Sequence, residues 1–190
     1  MKSTLFAAAL VLTASGAIAA PEKYTLDASH SQIIFSYSHL GFSKTHNMFS
    51  GFSGEIMFDQ ENPAQSSVNV EIPVLSLFTG WEARFDAFMS EEFFGAKEGD
   101  VITFASTRIE VSGENSALIT GDLTINGVMR SVTLDATLNQ TGEHPFAGKS
   151  WAGFDATTTI LRSDFGLGAA APFVSDELDV IISIEAGKSD

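Results

Sequence analysis

The chain has 190 residues, 16 phenylalanines against two tyrosines and two tryptophans, no cysteine, and a formal net charge of −14. That length makes one domain with a sizeable core. The charge excludes nucleic-acid phosphates as a partner and excludes recruitment to anionic bilayers by a basic patch. The lack of cysteine excludes a disulfide framework, so stability must come from the core alone.

The first nineteen residues read as a leader. Lys2 supplies a positive start, residues 5–16 are apolar, and Ala17-Ile18-Ala19 is a small-x-small cleavage signal. The apolar run falls short of the roughly 20 residues a membrane-spanning helix requires. No cysteine follows it, which excludes a lipoprotein anchor, and no twin arginine precedes it, which favours Sec-type export. Cleavage is expected after Ala19. An exported chain without disulfides points to a bacterial periplasm, with secretion as the alternative. Residues 20–190 then form one domain, without repeat, linker or low-complexity segment.

Strand patterns dominate that domain. Alternating apolar residues mark eight runs: 32–39, 49–59, 66–73, 101–110, 116–125, 128–138, 151–160 and 178–186. The first places Ile33, Phe35, Tyr37 and His39 on one face, and the second Phe52, Gly54, Ile56 and Phe58. Asn126-Gly127 joins two runs as a type I′ hairpin turn, in which both central residues need positive φ. The connection between the third and fourth runs, residues 75–99, is different. Residues 80–89 suit a short helix presenting Trp81, Phe85 and Phe88 at spacings of three and four, followed by the apolar pair Phe93-Phe94. Antiparallel strands of this kind, with one helix to cap an end, predict an all-β closed or nearly closed barrel. A two-sheet sandwich is the competing architecture.

Motifs for chemistry fail on context. Gly166-Leu167-Gly168-Ala169-Ala170-Ala171 mimics a dinucleotide fingerprint, but Pro172 and a strand follow where the motif needs a helix. Asp164-Phe165-Gly166 copies a kinase magnesium motif without its other parts. Gly51-Phe52-Ser53-Gly54 lacks the nucleophile-elbow spacing. His30, His39 and His46 lie close in sequence, but a metal site needs three or four converging ligands, and none is assigned. His39 shares its face with apolar residues and reads as a pocket or core histidine. Arg162 either pairs with Asp164 or loop carbonyls, or holds the polar head of a ligand.

In order along the chain, D-A-S-H-S-Q-I-I-F-S-Y-S-H-L-G (27–41), F-S-G-F-S-G-E-I-M-F-D (49–59), S-E-E-F-F (90–94), I-T-F-A-S-T (102–107), T-G-D-L-T-I-N-G-V-M-R (120–130) and G-F-D-A-T-T-T-I-L-R-S-D-F-G (153–166) resemble the YceI-like family of periplasmic lipid-binding proteins. The resemblance implies a lipocalin-like, extended eight-stranded antiparallel barrel with a short helix in the connection between strands three and four. It implies a long apolar pocket for an isoprenoid or similar lipid, and no catalysis. One departure stands out: where family members often carry Arg-Asp-x-His-Leu, this chain has Arg84-Phe85-Asp86-Ala87-Phe88, with alanine in the histidine position.

The expected function is therefore a non-enzymatic carrier or reservoir for a polyisoprenoid, quinone-related lipid, with no cofactor beyond that lipid. Alternation assigns the wall to Phe35, Tyr37, Phe52, Ile56, Phe58, Val70, Phe104, Phe154 and Ile182, and the mouth to His39, Arg84 and Arg162. The implied protein partner is a donor or acceptor at the inner membrane, and a homodimer is compatible with this reading. Two alternatives compete: a binder of fatty acids or fatty amides on the same fold, and a ligand-free acidic stress or interaction protein.

Overall fold

The computed structural model describes residues 20–189, so the leader expected over residues 1–19 lies outside it. Eleven strands form one sheet: β1 (Glu22–Leu26), β2 (Gln32–His39), β3 (Ser43–Ser50), β4 (Ser53–Phe58), β5 (Ser67–Pro73), β6 (Leu77–Phe78), β7 (Val101–Val111), β8 (Ser116–Ile125), β9 (Val128–Glu143), β10 (Ser150–Leu161) and β11 (Glu177–Lys188). All pairings are antiparallel, in the order β1-β4-β5-β7-β8-β9-β10-β11-β2-β3-β6, with β1 also paired to β11.

That order is a ring of eight staves. β1 and β2 lie end to end along β11, pairing with residues 186–188 and 179–183 respectively. β3 and β4 form the next stave, bent at Gly51, where φ is +65° and a side chain would be strained. β5 and β6 form the third, interrupted by the 3-10 turn Val74–Ser76. β7 to β11 complete the circle, and closure removes the exposed edges an open sheet would carry. The expected eight-stranded antiparallel barrel is what the chain forms.

Three details differ from the sequence pattern. β1 was not among the expected strands, and β3 begins at Ser43, so His46 sits in a strand and not in a connection. A bulge in β7 also changes the alternation: Ser106 pairs with Gly121 and Arg108 with Thr120, leaving Thr107 unopposed. One extra residue turns every later side chain to the other face. Ile102 and Phe104 therefore point inward before the bulge, and Ile109 and Val111 after it.

The hairpin at Asn126-Gly127 forms as expected, with φ of +52° and +73° and Ile125 opposite Val128. The helix α1 (Glu82–Met89) follows Gly80, and Glu82 in its first turn suits the positive end of the helix dipole. Phe85 and Phe88 pack against the core, but Trp81 precedes the helix and is 65% exposed, contrary to its expected inward face.

Toward the end that carries the β7–β8 and β9–β10 turns, the barrel beside β1 is filled by packing. Tyr24, Phe58 and Phe154 meet edge to face at centroid distances of 5.7 and 5.5 Å, beside the buried Leu26, Phe52, Ala152 and Ala186. Elsewhere inward side chains stay only partly buried, among them Ile33, Leu123, Leu138, Val180, Ile182 and Ile184. In a filled core they would be covered on all sides. Here they face open space.

Candidate functional site

That space is a cavity of about 440 Å³ inside the barrel, within the usual range for small-molecule sites. Its walls are almost wholly apolar, because the inward positions of the staves carry Val, Ile, Leu and Phe. Of the residues the sequence assigns to the wall, Phe35, Tyr37, Ile56, Phe58, Val70, Phe104, Phe154 and Ile182 line it. Phe52 does not. It is 1% exposed at the bend between β3 and β4, where it fills the core beneath the cavity. The assigned mouth residues His39, Arg84 and Arg162 all reach the cavity.

The sequence reading left out several wall residues. Phe88 of α1 stands edge-on to Phe35 at 6.3 Å and to Tyr37 at 6.2 Å, and meets Phe93 at 5.7 Å and Phe94 at 6.4 Å. This aromatic cluster forms the cavity wall beneath the helix. Its spacing was visible as a helix face followed by an apolar pair, but nothing in the sequence says which strand that face meets. Phe104 owes its position to Gly121 on β8, whose missing side chain leaves room for the ring.

Polar residues line both ends of the cavity: Glu114, Asn115 and Ser116 at the β7–β8 turn, and His39, Arg84 and Arg162 at the helix end. Arg162, 6% exposed, opens the 3-10 turn Arg162–Phe165 directly after β10. Its guanidinium donates to three carbonyls of the following loop: from Nε to Ser175 at 2.9 Å, from Nη2 to Val174 at 2.8 Å, and from Nη1 to Leu167. Burial pushes its pKa down from the ordinary value, opposed by the nearby Asp176 carboxylate and the Tyr37 phenol. Arg162 does not pair with Asp164; Asp176 instead accepts from the Ser163 backbone and hydroxyl at 2.9 and 2.6 Å. Arg84 donates from Nη1 to the Thr79 carbonyl at 2.9 Å. His39 is exposed at the rim, and Ala87 lines the cavity.

The remaining polar cluster lies away from the cavity. Asp27, in the break between β1 and β2, accepts from the Ser29 backbone at 3.0 Å and hydroxyl at 2.6 Å, and pairs with His30 Nδ1 at 2.7 Å. These hydrogen bonds hold the Asp27 carboxyl down to about 2, and the carboxylate raises the His30 pKa. Glu185 stands nearby, but its Oε2 already accepts from Trp151 Nε1 at 2.9 Å. The arrangement braces a break in the first stave.

A closed eight-stranded antiparallel barrel around an apolar interior cavity defines a lipocalin-like fold. A profile of the YceI-like domain matches residues 24–186, and the chain belongs to that family. It is 39% identical over 188 residues to a UPF0312 protein of Photorhabdus laumondii, an alignment covering 97% of each chain. The crystal structure of BcnA from Burkholderia cenocepacia superposes with a TM-score of 0.76 at 28% identity, over 84% of this chain and 98% of that one. A polyisoprenoid-binding domain from Saccharophagus degradans, implicated in plant cell wall breakdown, shares the fold with a TM-score of 0.68 at 16% identity, over 87% of this chain and 98% of that one.

Proposed function

We propose that this protein is an exported, periplasmic carrier that holds the apolar tail of a polyisoprenoid, quinone-related lipid inside its barrel. The observation that carries the reading is the cavity itself: side chains that face inward yet remain accessible, around a space with almost no polar lining. Each methylene moved from water to such a wall gains roughly 0.8 kcal/mol. Ten give about 8 kcal/mol gross, against an association cost of roughly 4–15 kcal/mol. Useful affinity therefore requires a long tail, deeply buried. The reading assigns no reaction, and the likeness to a polyisoprenoid-binding domain supports it only at the level of fold. A donor or acceptor at the inner membrane is its natural macromolecular partner.

The cavity size favours a second reading. At about 440 Å³ the space lies in the lower half of the range for drug-sized ligands, roughly 300–1,000 Å³, and suits a fatty acid or fatty amide better than a very long prenyl chain. Mass spectrometry of an organic extract of protein purified from its native host separates the two. A stoichiometric prenyl lipid supports the first reading and a fatty amphiphile the second. Repeated absence of any stoichiometric lipid would sink both.

A further inference from the structure

At the rim where His39 and Val174 line the cavity and pair with each other, three large apolar side chains stand in solvent. Leu40 is 49% exposed, Phe42 89% and Phe173 74%. Single exposed apolar residues are ordinary, but these three belong to one structure. The Leu40 amide donates to the Phe173 carbonyl at 2.9 Å, joining the β2–β3 turn to the loop after β10. The Ser175 amide donates to the Ser38 carbonyl and the Ser38 amide to Ser175 Oγ, each at 2.9 Å. Arg162 grips the neighbouring Val174 and Ser175 carbonyls. The tips are thus held rigidly beside the cavity.

Leu40 breaks a local rule. Its φ is +54°, a conformation glycine or asparagine adopts at far lower cost than leucine, and its side chain is still 49% exposed. A residue that suits neither its backbone nor its surroundings marks a functional demand.

We infer that Leu40, Phe42 and Phe173 insert into the surface of a lipid bilayer and dock the cavity rim against it. The proposal rests on the carrier reading, since docking at this rim lets an apolar tail pass between membrane and barrel without crossing water. Scaled by their exposure, the three side chains offer about 300–500 Å², at roughly 150–250 Å² for a fully exposed large residue. Each partner in a stable protein–protein contact buries roughly 600–1,000 Å², whereas binding at a lipid surface scales with whatever apolar area is inserted. Charge fixes the kind of bilayer. Lys44, beside the tip, is neutralised by Asp179 at 2.5 Å, and the chain carries −14 overall. Docking is therefore apolar, and an anionic surface opposes it.

The test is flotation of purified protein with phosphatidylcholine vesicles, repeated with vesicles containing phosphatidylglycerol. The unmodified protein is expected to float with the neutral vesicles and less with the anionic ones, the difference shrinking at high salt. Phe42→Ser and Phe173→Ser should each lower partition about tenfold, from the apolar area lost. Phe146→Ser, on the β9–β10 turn at the opposite end and 94% exposed, should change nothing. Leu40→Gly relieves the backbone, so it should leave stability unchanged or raised while weakening flotation; a purely structural role would not separate the two. Flotation of the Phe42 and Phe173 variants equal to the unmodified protein would overturn the proposal, as would no flotation at all on neutral vesicles. Stoichiometric capture of a partner protein through these residues, without vesicle binding, would also overturn it. The readouts stay distinct: lipid in the extract without flotation removes the docking and leaves the carrier, and flotation without lipid does the reverse.

Discussion

Arg162→Met tests the claim that this side chain holds the rim. The residue is 6% exposed, and its guanidinium makes three hydrogen bonds to carbonyls of residues 167–175, without a carboxylate in direct contact. Hydrogen bonds from a charged donor contribute roughly 1.5–3 kcal/mol each. The Ser175 and Val174 bonds are only part-buried, so water can replace them and their loss falls at the low end. Three such losses come to about 5 kcal/mol. Methionine recovers part of this, because a buried charge no longer has to be kept from water, an offset of about 2 kcal/mol. The net expectation is about 3 kcal/mol of destabilisation, or a fall in Tm of roughly 6–12 °C for a chain this size. Urea unfolding measures the first and calorimetry the second. Hydrogen exchange should accelerate at the amides of Leu40 and Ser175, which donate across the same junction. Arg162→Lys should restore no more than one of the three bonds, since an ammonium cannot reach in three directions from one plane. A loss under 1 kcal/mol, or exchange unchanged at those amides, would refute this account of the loop.

Other outcomes follow from the same geometry. Ala156→Phe puts a ring into the cavity its methyl now lines, and should cut bound lipid at least tenfold with little change in Tm; lipid retained at the unmodified stoichiometry would refute the wall assignment. The Asp27–His30 pair has a defined pH window. The Asp27 contribution is present above the ordinary 3.8 and lost as pH falls through about 2, whereas the His30 contribution is complete below the ordinary 6.5 and lost as pH rises through its raised value. An NMR titration should show the His30 pKa above 6.5 and its return toward 6.5 in Asp27→Asn; an identical pKa in both would remove the pairing. Gly127→Val forces a β-branched residue to φ +73° and should cost about 1–2 kcal/mol in urea unfolding; a neutral result would contradict the type I′ turn.

Most of the barrel was legible because its strands carry long, regular alternation and its tightest turn carries Asn126-Gly127. What escaped did so for physical reasons. β1 is only five residues, with Tyr24 and Leu26 as its sole inward pair, too short for a period to stand out. β3 reads as polar because its inward row is Thr45, Asn47 and Phe49; Asn47 is 3% exposed opposite Phe35, so a buried amide hides a strand. The β7 bulge at Thr107 could not be seen either, since only pairing with β8 shows that Ser106 and Arg108 are neighbours in register. Phe52 has the alternation of a wall residue, but the bend at Gly51 sets it below the cavity, and period alone carries no depth.

The same distinction applies to Arg162-Ser163-Asp164. The cluster offers an arginine at the end of a wall strand, and sequence alone left it between holding a ligand and fastening a loop. Geometry gives the guanidinium to the loop: its donors are turned on three carbonyls, so it has little left to offer a head group. Yet what it fastens is the rim carrying Phe173, and through the Leu40 amide the β2–β3 turn as well. At this rim the groups that remain able to meet a ligand's polar end are the Tyr37 phenol, the exposed imidazole of His39 and the uncommitted part of Arg84, beside an alanine at position 87. A site with so few polar partners discriminates by the length and shape of the tail more than by the head. Selectivity in this chain should therefore follow the volume of the cavity, and substitutions that enlarge or fill it should change which lipid is retained before any change at the rim does.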